Sequence, residues 1–95
     1  MKDEIEDWCA NRINIEVCKL EKTIGIDYCH NIDWAWPIII ENGIDIIAPR
    51  PYVNEFWQCQ IIGKSYDEKT VFFQGPDPLV EAMRCYVKKN LTSQK

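Results

Sequence analysis

Only one histidine, His30, occurs among the 95 residues, and the five cysteines include no Cys-x-x-Cys pair. A catalyst needs a nucleophile, base or metal held in place by partners, and this scarcity leaves little to build one from. A thiol–imidazole dyad needs spatial neighbours, which His30 would have to find in Cys59 or Cys85. A zinc site needs four well-spaced ligands, and only Cys29 and His30 lie close together. Neither is expected. No Gly-rich phosphate loop, Gly-x-Ser-x-Gly elbow or His-Glu-x-x-His helix is present. Asp67 and Glu68 fall in a hairpin loop, where solvated carboxylates are expected. The chain is therefore not expected to be an enzyme, and no catalytic residue, metal ligand or cofactor is assigned.

Basic charge is also short. Residues 1–48 carry ten acidic and four basic side chains, a balance of −6, whereas residues 49–95 carry five and seven, a balance of +2. No basic stripe results, so duplex nucleic acid is excluded as a partner. No apolar run reaches the roughly 18 residues of a membrane span, and no charged start followed by an apolar segment marks a signal peptide. Cys9, Cys18, Cys29, Cys59 and Cys85 are odd in number and widely spaced. Reduced thiols, no membrane and a cytosolic setting are the expectation. Asn90-Leu91-Thr92 matches a glycosylation acceptor but has no secretory route to use it.

What the chain has is apolar mass: 46% hydrophobic residues and 12% aromatics, ample for one small core. A single domain over residues 1–91 is expected, with 92–95 a frayed tail. Ile5, Trp8, Cys9, Ile13, Val17, Leu20 and Ile24 recur at spacings of three and four, which predicts a helix from Asp3 to Lys22 ended by Gly25. Asp33 reads as the N-cap of a short second helix that stops at Asn42-Gly43. Pro37 sits near the limit of where a helix tolerates a missing donor.

Three strands are predicted next, at Ile44–Ala48, Glu55–Ile62 and Lys69–Gln74, the first broken by Pro49-Arg50-Pro51. Asp77 caps a last helix that opens on Pro78 and runs to Asn90, with Leu79, Val80, Met83, Tyr86 and Val87 inward. Short connections make the strands an antiparallel meander. Apolar residues on both faces of the second and third strands predict helices on both sides. The fold class is α+β, an α/β/α sandwich in the order α-α-β-β-β-α.

Candidate binding residues are the aromatics in or beside loops, Tyr28, Trp34, Trp36, Tyr52 and Tyr66, with Arg50 held between two prolines. Aromatic faces beside a guanidinium suit a nucleobase and its phosphate, or a protein hot spot. Closure of the core by a tryptophan competes with that reading. Trp34 and Trp36 lie two residues apart, about 200° around a helix, so one is expected inside and the other at an interface or ligand.

The tract from Asp33 to Gly43, the Trp57 strand and the closing Pro78-Leu79-Val80-Glu81-Ala82-Met83-Arg84-Cys85 helix resemble the phage ABA-sandwich family. They are also similar to the NinX-like phage proteins of unknown function. The resemblance spans about Glu16 to Lys88. It implies a phage or prophage origin, the cytoplasm of the infected bacterium and an α/β/α sandwich, and it brings no catalytic motif. The Pro49-Arg50-Pro51-Tyr52 loop and the isoleucine-rich second helix depart from the family pattern. Origin and size then suggest a non-catalytic binding module that antagonises bacterial antiviral defence. It would sequester a nucleotide-derived immune signal or block a host defence protein. The alternative is a structural or housekeeping accessory protein acting through self-association, that is, a homo-oligomer.

Overall fold

A computed structural model describes residues 5–50, 55–63 and 70–93. A 3-10 turn at Ile5–Asp7 leads into α1 (Ala10–Glu21), α2 (Ile32–Asn42), β1 (Ile44–Ile47), β2 (Trp57–Ile61), β3 (Val71–Gly75) and α3 (Pro78–Ser93). The α+β class, the element order and the antiparallel meander are as the sequence predicts. Strands lie in the order β1-β2-β3, with Ile44 opposite Ile61, Cys59 opposite both Ile46 and Phe73, and Trp57 opposite Gly75.

This register sorts the sheet into two unlike faces. Ile44, Ile46, Cys59, Ile61, Val71 and Phe73 share one face and are buried or half-buried; Asp45, Gln60 and Phe72, and Ile47, Gln58 and Gln74, share the other. The second face is mostly polar, and Phe72 is nearly half exposed there. One apolar and one polar face is the pattern of an antiparallel sheet that meets water on one side.

Among the described elements, α3 packs between the sheet and the first two helices. Val80 to Val87 are buried without a break. On its sheet side, the Cys85 thiol donates to the Cys59 carbonyl at 3.3 Å, and the Cys59 thiol to the Pro78 carbonyl at 3.4 Å. On the other side, the Tyr86 hydroxyl donates to Glu21 of α1, and Arg84 Nη1 donates to the Ile5 carbonyl at 2.8 Å. α1 and α2 pack on α3, and α2 also reaches β1. Leu79, Val80, Ala82, Met83, Cys85, Tyr86 and Val87 are apolar around nearly the whole helix, the composition of a helix covered on all sides.

Local signals explain the element ends. Asp77 Oδ1 accepts from the Leu79 N–H at 3.1 Å and starts α3, as expected. The predicted first helix is instead a 3-10 turn and a separate α-helix. Cys9 occupies the N-cap position of α1 with no side-chain bond. The Arg12 guanidinium lies 3.9 Å from the Trp8 ring centroid. Lys22, left-handed at φ 60°, closes α1 ahead of Gly25, and its N–H and that of Thr23 both go to the Cys18 carbonyl. Ile24 thus lies beyond the helix and is almost fully exposed rather than on its inner stripe.

One buried ion pair sits within this core. Glu81 Oε1 and Arg84 Nε are 3.1 Å apart, with both side chains 8% exposed. Gly75 makes room for them, since a Cβ there would stand 2.8 Å from Glu81 Cδ. Burial raises the Glu81 carboxyl above its ordinary value, opposed by Arg84.

Candidate functional site

The second helix begins two residues earlier than its sequence suggests. Asn31, not Asp33, is the N-cap: its side chain accepts from the Asp33 N–H at 3.1 Å. Asn and Asp cap about equally well, and the loop before α2 decides between them. That loop is tied to α1 by Asn14, whose Nδ2 donates to Asp27 at 2.6 Å while its Oδ1 accepts from the Cys29 N–H at 2.9 Å. His30 Nδ1 lies 3.0 Å from the same Asp27 carboxylate. The Asn14 bond, ahead of the His30 contact, lowers the Asp27 carboxyl below its usual range. At the far end Gly43 adopts φ 62°, and its N–H reaches the Ile39 and Ile40 carbonyls.

Helical geometry then distributes the side chains of α2. Ala35, Ile38 and Ile39 are buried. Trp34 and Trp36 each stand about 100° from Ala35, one to either side. Neither is inside: Trp34 is 47% exposed and Trp36 51%. The expectation that one of them fills the core is corrected, because the alanine between them takes the inward direction. Trp34 meets Tyr28 edge-on, with ring centroids 6.2 Å apart. Trp36 belongs to a row with Ile32 (49% exposed) and Ile40 (62%), spaced four residues apart along one side of the helix. Exposed Pro37 adjoins that row. Asp33 and Glu41, also exposed, are the two acidic residues of a helix with no Lys or Arg.

The other sequence-derived candidates do not gather here. Tyr28 is 2% exposed and shares a 2.8 Å hydrogen bond with the Thr23 hydroxyl, so it is a core residue rather than a surface for a ligand. Arg50 is exposed just past β1, and no described contact joins it to Trp34 or Trp36. Tyr52 and Tyr66 lie outside the described residues. Sequence reasoning missed Ile32 and Ile40, although their spacing of four from Trp36 was visible. It also missed Asn14, a poor helix former in mid-helix that stays because its amide holds the next loop.

An open groove of about 590 Å³ runs between α1 and the following loop, lined by Asn14, Ile15, Lys19, Ile24, Ile26 and Asp27. Two of its polar residues are engaged with protein neighbours: Asn14 with Asp27, and Lys19 with Glu16 at 3.3 Å. Four thiols, those of Cys18, Cys29, Cys59 and Cys85, are engaged likewise, and Cys9 is exposed. Cys29 donates to the Ala10 carbonyl and Cys18 to that of Ile26. Burial pushes Cys29, Cys59 and Cys85 up to about 12, which suppresses the thiolate a nucleophile needs.

Fold and surface together define a small α+β domain whose most apolar helix keeps one side open. The chain matches the family described as Bacteriophage P22, NinX over residues 2–90, and it belongs to that phage protein family. No curated protein and no solved structure matches it significantly. No helix among the described residues is long and apolar enough to cross a membrane.

Proposed function

We propose that this chain is a non-catalytic phage accessory protein that works as a binding module. It docks on a protein of the infected cell through the outer side of α2 and so blocks a step of antiviral defence. One observation carries the docking: eight of the eleven residues of α2 are apolar, yet Ile32, Trp36, Pro37 and Ile40 face solvent. A helix apolar all round is normally covered on all sides, and aromatic anchors are enriched in binding hot spots. Phage family membership supports the setting, and the defence target is proposed from that setting alone. Suppressed thiols support a non-catalytic role.

Blocking a protein fits this geometry better than sequestering a nucleotide. A base clamp needs its aromatics around one ligand. Trp34 and Trp36 diverge around the helix, and Tyr28 is sealed in the core. The test is native purification from phage-infected cells of the wild-type chain and of Ile40→Asp. A stoichiometric polypeptide with the wild type, lost in the variant while its melting temperature holds, is the expected result. A stoichiometric nucleotide released on denaturation would overturn the protein-docking reading. So would a homo-oligomer with no other component.

A further inference from the structure

We draw no further inference here: the strongest candidate, the open groove between α1 and the loop after it, lined by Ile15, Ile26 and the almost fully exposed Ile24, is an unpartnered apolar surface and nothing in the structure shows what covers it.

Discussion

Replacing Arg84 with Met removes the cation from the centre of the molecule while keeping most of the side-chain volume. Two groups are then stranded. Glu81, 3.1 Å from Arg84 Nε, stays buried as a carboxylate without a counter-ion, and the Ile5 carbonyl loses its 2.8 Å donor. Breaking a buried pair from one side costs about 3–5 kcal/mol, a large part of the roughly 5–15 kcal/mol that holds a small domain folded. Removing both charges in Glu81→Leu/Arg84→Met leaves only the Ile5 carbonyl unpaired, at about 1 kcal/mol. The double variant should therefore recover about 2–4 kcal/mol relative to Arg84→Met. Urea unfolding followed by tryptophan fluorescence near pH 7 measures all three chains. Acid supplies a second check. The folded Glu81 carboxyl is raised above the ordinary 4.5, so the native state holds that proton more tightly than the unfolded chain. Stability from this group falls as pH rises through the window above 4.5, and Arg84→Met widens the window by removing the group that opposes the rise. The cost of Arg84→Met should thus be smaller at about pH 5 than at about pH 7. A double variant as unstable as Arg84→Met would refute the stranded-charge account, and so would a pH-independent cost.

Other perturbations separate core from contact surface. Ile39→Ala should cost about 2–5 kcal/mol in the same assay, whereas Trp36→Ala should cost less than about 1 kcal/mol because half of the ring already meets solvent. A large loss in Trp36→Ala would make that ring structural. Asn14→Ala should raise the Asp27 carboxyl back toward its ordinary value, read by NMR titration, and lower the melting temperature by unpinning the loop before α2. Its sign in acid is the reverse of Glu81: the depressed Asp27 carboxyl contributes stability above its unfolded value of 3.8 that is lost as pH falls through the folded one. An unchanged Asp27 titration in that variant would mean that the Asn14 bond does not set its acidity. Iodoacetamide near neutral pH should modify Cys9 first in the native protein and reach Cys29, Cys59 and Cys85 only after unfolding. Prompt labelling of Cys59 or Cys85 would contradict their burial.

Much of the architecture could be read because the decisive signals are local. Asp77-Pro78 starts α3 and Gly43 stops α2 through backbone chemistry that neighbours scarcely alter. The three strands announce themselves by alternation and by the prolines and glycines between them. What escaped depends on which surfaces meet. Strand register, a relation between distant residues, puts Gln58, Gln60 and Gln74 on one face and sets α3 against the other. Asn31 displaced Asp33 as the cap because Asn14 fixes the preceding loop, a contact between residues far apart in sequence. The two tryptophans were correctly placed apart around the helix, but Ala35 between them, rather than either ring, marks the inward side. Of the candidate binding residues, Trp36 gained neighbours in Ile32 and Ile40, and Tyr28 went to the core. A loop position in the sequence gives no hint that Tyr28 closes onto Thr23.

Site-specific photocrosslinking tests the central claim, that the outer side of α2 contacts another protein, most directly. A photoreactive side chain is placed at position 40, within the exposed row, and separately at position 74, on the open polar face of the sheet. Each chain is irradiated in phage-infected cells. A discrete heavier adduct from position 40 and none from position 74, with peptides of a single other polypeptide in the adduct, is the predicted outcome. No adduct from position 40, or the same adducts from both positions, contradicts it.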